Sequence, residues 1–233
     1  MPFYENFSRK QPSKIGLRIA DRESDNVLGR VLNYNENIHS VLELGPGRGP
    51  FAKACREHGL DYTCADISWT LLNNLSLAEK RVQTLVPKLP FADNSFDLTF
   101  ASNLLEHMID YKDAFLFVDE MKRTTRSDGL VCHRVPNAMA WGMHFWNGDY
   151  THGFFTTPRT VSQVYLDVGL DIAAVYPISG YFVGAYARLV SIFARLLPSW
   201  LFSHGADRSN RTQMLYSLKT TFLLGFLIIG QKG

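Results

Sequence analysis

The sequence predicts an α/β fold in which a mostly parallel sheet is covered by helices on both faces. Three observations carry that expectation. Apolar runs of strand length recur along the chain, segments of helical periodicity separate them, and the first run ends in a glycine-rich turn that opens a helix. Strands that alternate with helices pair in parallel, because each crossover helix returns the chain to the same edge of the sheet. With 233 residues, 46% of them hydrophobic and 20% charged, the chain can fill one core and reads as a single domain, 1–233.

Residues 1–38 are polar and mixed, and a helical cap is expected there ahead of a core spanning 39–177. His39–Leu44 is a buried strand, followed by a helix over Phe51–His58 whose Phe51, Ala52, Ala54 and Cys55 share one face. Pro50 suits the first turn of that helix and Gly59 its end. Asp61–Ile67 is the second strand, Leu71–Lys80 a helix, Val82–Val86 a short third strand and Phe96–Ser102 the fourth. A helical region runs from Leu104 to about Arg123, then a turn at Ser127-Asp128-Gly129 leads into a fifth strand, Leu130–Val135. After an aromatic loop, Thr157 caps a helix with Pro158 in its first turn and Val161, Val164, Tyr165 and Val168 along one face. Gly169 ends it, and Leu170–Tyr176 is the sixth strand. Residues 178–218 read as a helical insertion, and residues 219–233 supply the seventh strand, Phe222–Ile229.

The stretch VLELGPGRGP, residues 41–50, sets Gly45, Gly47 and Gly49 at alternate positions between a strand and a helix. Bare backbone at a helix N-terminus lets a ligand approach the main chain closely. Dinucleotides and S-adenosylmethionine both use such a turn, but the dinucleotide fingerprint wants a glycine where Pro50 stands. Asp66 ends the second strand 21 residues after Gly45, where a carboxylate accepts hydrogen bonds from ribose hydroxyls in both ligand classes. Capping of the next helix is the plainer role for the same side chain.

The stretch LPFADNSFDLTFASNLLEH, Leu89–His107, separates the two ligands. Leu89-Pro90-Phe91, Asp93–Asp97 and Asn103–His107 match, in order and spacing, a Leu-Pro-Phe turn, a D-x-S-F-D segment and an N-x-L-E-H-like run. On these residues, with VLELGPGRGP, Asp66 and Val135-Pro136-Asn137, the chain resembles the class I S-adenosylmethionine-dependent methyltransferases. Within them it is similar to the small-molecule branch, including quinone-pathway and polysaccharide-cluster enzymes. The resemblance spans roughly residues 40–176, and the closing FLLGFLIIGQKG resembles the family's last strand.

The resemblance implies a Rossmann-like, seven-stranded sheet with an antiparallel last strand, S-adenosylmethionine as cofactor and methyl transfer as the reaction. By the same resemblance, Glu43, Gly45, Pro46, Gly47 and Gly49 attend the cofactor's amino acid end and Asp66 its ribose. Ile67 and Leu89 flank the adenine, and Asn103 and Leu104 lie beneath the methyl-donor side. Relatives often carry an acid at the end of the third strand, facing the adenine amino group. Leu85 sits near that place here, so backbone groups or Asp93 would make the contact.

Methyl transfer to an alcohol or phenol often needs a base. The candidates are His107, His133, His144, His152 and His204. His133 lies inside the fifth strand and reads as structural. His107 closes the Asn103–His107 run. In some quinone-pathway relatives a Glu-x-x-Glu-His arrangement there assists a metal, but Asn103 stands first here and no metal is expected. His152 lies in GDYTHGFFTTPRT, residues 148–160, which resembles a loop above the methyl group in relatives. His152 and His107 are therefore the expected catalytic residues. Their plainer alternatives are to tie the Thr157 cap to its loop and to orient a helix. Trp141, Phe145, Trp146, Tyr150, Phe154 and Phe155 crowd the same region and either line an acceptor pocket or seal the sheet edge.

Residues 181–233 hold six Lys or Arg against one acid, while residues 1–180 hold 18 against 21. A helix over Phe182–Leu197 would put Gly184, Arg188, Ser191 and Arg195 on one stripe and large apolar residues elsewhere, continued by Trp200, Leu201 and Phe202. Such a segment lies in a membrane interface, lids a pocket or forms a dimer face, so peripheral membrane contact through 178–202 stays open. The net charge of +2 and Ser102-Asn103-Leu104-Leu105 in place of an N-P-P-Y-like tetrapeptide argue against nucleic acid as the acceptor. Three scattered cysteines and an N-terminus without an apolar core fit a cytoplasmic setting, with the inner membrane face as a variant. The expected function is methyl transfer to a small-molecule, glycan or lipid-linked acceptor at oxygen. The alternative is a non-catalytic cofactor-binding or partner-binding module of the same fold.

Overall fold

The computed structural model describes residues 13–75, 80–198 and 210–233, the side chains of 210–215 excepted. Ser13 opens α1 (Lys14–Tyr34) by accepting a hydrogen bond from the Gly16 amide at 3.0 Å. The chain then alternates β1 (Ser40–Leu44), α2 (Pro50–Glu57), β2 (Asp61–Asp66), α3 (Trp69–Asn73), β3 (Lys80–Gln83) and β4 (Phe96–Ser102). A 3₁₀ turn at Leu105–His107 leads to α4 (Tyr111–Thr124) and β5 (Thr125–Pro136). Two short helices, α5 (Ala138–Trp141) and α6 (His144–Gly148), precede α7 (Pro158–Asp167). β6 (Asp171–Ser179), β7 (Phe182–Val183), α8 (Ala185–Leu196), α9 (Asn210–Thr221) and β8 (Gly225–Gln231) complete the order.

The sheet runs β3-β2-β1-β4-β5-β8-β6-β7. The first five strands in that order are parallel, and β8 is antiparallel to both β5 and β6, as expected of the last strand. The order reverses between β1 and β4, so their C-terminal ends flank a crevice, the place where ligands of open α/β sheets bind. One apolar layer, with Leu42, Leu44, Phe117, Val131 and Tyr165, fills one face of the sheet; another, with Val27, Val31, Phe51, Phe100 and Ile229, fills the other. Cys55, Cys64 and Cys132 are buried thiols within this core. No helix of the described residues is long and apolar enough to cross a membrane.

Several elements depart from the sequence expectation. The sheet has eight strands, the extra one being the two-residue β7, which pairs antiparallel with the end of β6. Helix α3 stops at Asn73 and Lys80 already belongs to β3, so the helix expected over 71–80 is short; residues 76–79 lie outside the described residues. The helical region from Leu104 is broken. Asp110 accepts from the amides of Lys112 and Asp113 and starts α4 afresh, because an aspartate satisfies N-terminal amides better than a continued turn would. Ser127-Asp128-Gly129 lies inside β5 as an irregularity of its pairing with β4, Asp128 taking φ 63°. Phe182 and Val183 are strand, so α8 starts only at Ala185. On α8 the buried stripe is Ala187, Ser191 and Ala194, small residues that let the helix sit close. Ser191 therefore parts from Arg188 and Arg195, which are exposed. Trp200, Leu201, Phe202, His204 and residues 1–12 lie outside the described residues.

The expected α7 is present in detail. Thr157 accepts from the Thr160 amide and Thr160 Oγ1 accepts from the Thr157 amide, a reciprocal capping box, and Val161, Val164 and Tyr165 are buried. Helix α1 is tied to the sheet by charge. Glu23 meets Arg134 Nε of β5 at 2.5 Å, with side-chain exposures of 18% and 9%. Removing one partner of so enclosed a pair leaves an uncompensated charge. Glu23→Ala is expected to cost about 3 kcal/mol in urea unfolding, and replacement of both residues by apolar ones of similar size should recover most of that loss.

Candidate active site

The turn after β1 is built from its backbone upward. Gly45, Gly47 and Gly49 all take left-handed φ, 69°, 55° and 77°, which side-chain-bearing residues adopt only at a cost. A Cβ on Gly49 would lie 2.4 Å from Leu75, and one on Gly45 3.2 Å from Leu104. A Cβ on Gly47 meets nothing within 4 Å, so the main chain there faces open space. The turn is pinned by the Gly45 amide on the Ala65 carbonyl at 2.9 Å and the Gly49 amide on the Pro46 carbonyl at 2.9 Å. Gly49 precedes α2 with no side-chain cap, and Pro50 takes its first turn.

Glu43 is buried below this turn and accepts a hydrogen bond from the Tyr62 hydroxyl. Burial, reinforced by the Glu43 charge, pushes the Tyr62 phenol well above its ordinary value, so it stays a donor. Leu44 pairs with Ala65, which sets Asp66 one position further, level with Gly45. Asp66 Oδ1 accepts from the Ser68 amide at 2.7 Å, and Ser68 caps α3. Burial raises the Asp66 carboxyl and the Ser68 and Ile67 amides oppose that shift. Ile67 is exposed beside it, while Leu89 is buried in the core, its amide donating to Glu120 Oε1 at 2.8 Å. Leu85 is exposed, and Asp93 pairs with Arg123 at 2.6 Å.

At the end of β4, Asn103 takes φ 50° and its Oδ1 accepts from Arg134 Nη1 at 2.5 Å. Glu23 and Arg134 were missed by sequence reasoning. A single arginine inside the buried run Leu130–Val135 was the available signal, since such a charge requires a partner; nothing in the helical cap marked Glu23 as that partner.

The two histidines expected to be catalytic meet here. His107 and His152 rings lie 4.8 Å apart, and Glu106 stands with them. The loop carrying His152 hangs from Glu106, whose carbonyl accepts from the amides of Gly153 and Phe154 at 3.0 and 3.1 Å. Asp149 accepts from the Thr151 hydroxyl at 2.6 Å, and Thr151 Oγ1 meets His107 Nδ1 at 2.8 Å. His152 packs on Phe145 with ring centroids 4.5 Å apart and hydrogen-bonds the Phe145 backbone. Burial pushes the Glu106 carboxyl up to about 8. Burial, then the nearby His152 charge, pulls His107 down to about 4, and burial lowers His152. Near neutrality both imidazoles are thus uncharged. Glu106, His107 and His152 each offer one donor atom within 4.8 Å of the others, a set able to hold a metal ion.

His133 stays apart from this cluster. It is fully buried, its Nδ1 lies 2.6 Å from the Tyr165 hydroxyl, and burial lowers it to about 3. Among the loop aromatics Phe145 and Phe154 are buried, Trp146 stacks on Phe155 at 5.7 Å, and Trp141 Nε1 donates to the Leu224 carbonyl at 3.1 Å. His144, Trp141, Arg195 and Lys219 line a cleft of about 120 Å³ between this loop and α8–α9.

Comparison with known proteins fits this architecture. Residues 42–133 match the family model described as "Methyltransferase domain". An uncharacterized methyltransferase of Mycobacterium sp. (strain KMS) is 33% identical over 174 residues, 69% of this chain and 67% of that protein. The chain belongs to the class I S-adenosylmethionine-dependent methyltransferases. A malonyl-[acyl-carrier protein] O-methyltransferase of Buchnera aphidicola subsp. Baizongia pistaciae (strain Bp) is 29% identical over 131 residues, 55% of this chain and 47% of that one. The crystal structure of a SAM-dependent methyltransferase from Archaeoglobus fulgidus superposes with a TM-score of 0.62 at 17% identity, covering 89% and 92% of the two chains. S-adenosylmethionine is the cofactor of this methyltransferase, and the open backbone at Gly47 beside Asp66 fits its amino acid and ribose parts.

Gly153 is the steric keystone of the loop, since a Cβ there would lie 2.4 Å from the Met108 carbonyl and 2.7 Å from that of Ile109. Gly153→Ala is expected to lose about 1–3 kcal/mol in denaturant unfolding and to increase proteolytic cutting within residues 139–155.

Proposed function

We propose that this methyltransferase transfers its methyl group to an oxygen of a lipid-linked or glycan acceptor, with small secondary metabolites as the remaining class. The observation that carries this reading is a bare-backbone turn at the end of β1 whose Gly45 packs against Leu104, two residues before Glu106, which clusters with His107 and His152. When bound, S-adenosylmethionine supplies an electrophilic methyl group. In this reading the main chain of Gly45 to Gly49 holds the amino acid end, with Glu43 fixing the turn beneath it and Pro46 shaping it. Asp66 receives the ribose hydroxyls, Ile67 with Leu89 bounds the adenine, and Asn103 with Leu104 supports the methyl-donor side. His152 and His107 keep nitrogen lone pairs at the acceptor side, where removal of a hydroxyl proton needs assistance. The similarity to the Buchnera O-methyltransferase supports oxygen as the target atom.

Helix α8 favours a lipid-linked acceptor. Tyr186, Phe193 and Leu196 are 71%, 70% and 73% exposed, with Leu189 and Ile192 beside them. Arg188 and Arg195 share the helix and no acid does, which suits an anionic bilayer surface at the inner face of the membrane. Liposomes of phosphatidylcholine and phosphatidylglycerol should co-sediment the protein, and Phe193→Asp with Leu196→Asp should abolish this. Absence of binding to anionic vesicles would remove the membrane from the reading.

Turnover is tested by conversion of S-adenosylmethionine to S-adenosylhomocysteine in the presence of fractionated cell extract. Asp66→Ala should weaken cofactor binding by about tenfold or more, roughly 1.4 kcal/mol, in calorimetric titration. His152→Ala should keep cofactor affinity and lower turnover about 100-fold. Binding without conversion in any fraction would favour a non-catalytic module, and unchanged turnover in His152→Ala would remove that residue from the chemistry.

A further inference from the structure

We infer that Glu106, His107 and His152 form a three-ligand site for a divalent first-row transition-metal ion of the zinc class. The inference rests on reading this cluster as the acceptor side of the active site. One carboxylate and two imidazoles whose donor atoms lie within 4.8 Å of one another are the donor set of catalytic zinc sites, which leave a further position open.

Two polar atoms of these three residues lack a hydrogen-bond partner. Glu106 Oε2 and His152 Nδ1 are buried without a hydrogen-bond partner among the described residues, and Glu106 is only 1% exposed. Buried polar atoms are almost always partnered, so two orphans on members of one cluster point to a shared missing partner. They do not satisfy each other, since no hydrogen bond joins them. A tetrahedral zinc holds its ligand atoms about 3.3 Å apart, so the set needs to close by at most about 1.5 Å, within reach of side-chain rotation.

The surroundings also fit. A metal-bound histidine usually has its second nitrogen held by an oxygen acceptor, which fixes the ring and its tautomer. His107 Nδ1 faces Thr151 Oγ1 at 2.8 Å, and Thr151 in turn donates to Asp149 at 2.6 Å. His152 hydrogen-bonds the Phe145 backbone, and its Nδ1 has no partner among the described residues. The third ligand comes from the loop after α6 rather than from Asn103, whose amide oxygen is taken by Arg134. The expectation of no metal, drawn from Asn103 alone, did not weigh this donor. With the ion bound, an acceptor hydroxyl at the open position would release its proton to solvent water more readily, and the base role proposed for His107 and His152 would belong to the metal-free site.

The test uses the full chain, stripped by a chelator and reconstituted with zinc, with metal content read by mass spectrometry. Cobalt substitution gives a second readout in visible absorption. Wild type should bind about one ion per chain and show ligand-field bands with cobalt. Glu106→Gln and His152→Ala should weaken zinc binding by at least about tenfold at unchanged circular dichroism, while His144→Ala binds as wild type. Substoichiometric zinc in wild type, or binding by Glu106→Gln and His152→Ala equal to wild type, overturns the site. Calorimetry with S-adenosylmethionine on the stripped protein separates the two ideas. Cofactor binding without metal binding rejects only the site, and metal binding without cofactor binding rejects only the functional reading.

Discussion

Parallel pairing of β1 with β4 places two chain segments side by side at the point where the sheet changes direction. The chain leaves β1 through Gly45 and leaves β4 through Asn103, both with left-handed φ. These two departures are coupled sterically, because the Leu104 side chain occupies the room that a Cβ on Gly45 would need. The glycine turn and the segment that leads to Glu106 and His107 are thus placed by one strand pair. Bulk introduced at either departure disturbs both.

The electrostatics of the site are governed by burial more than by pairing. Glu106 is raised and His107 and His152 are lowered chiefly because water is excluded from them. The one strong ionic device nearby, Glu23 with Arg134, lies behind Asn103 and serves to anchor the N-terminal helix against the strand end. Charge fixes the geometry behind Asn103, whereas burial keeps Glu106, His107 and His152 near neutral.

Local signals in the sequence were read correctly where the physics is local. Alternate glycines before Pro50, the Thr157 cap and the apolar, strand-length runs of β1, β2 and β4 each determine their own conformation within a few residues. The two-residue β7 carried no such signal, because a strand that short exists only through its partner Ile178–Ser179. The run Leu104–Arg123 looked continuous because its apolar periodicity outweighs a single capping aspartate at Asp110 in a linear reading. His107 and His152 were each singled out separately. That they share a pocket with Glu106 depends on a long-range backbone contact, which residue types cannot announce. Leu89 shows the converse: its motif was legible, while its burial against the core depends on packing that the motif does not announce.

The carbonyl of Glu106 accepts two amides from the aromatic loop, so one peptide group both carries the carboxylate and sets where His152 comes to rest. Exposed positions of this region, Met139, Met143 and Tyr150 among them, can change while that pivot and the buried Phe145 hold. In the proposed reading, new acceptors can thus be accommodated by rewriting those exposed positions without moving His107 or His152, which offers a physical route for one scaffold to diversify its substrates.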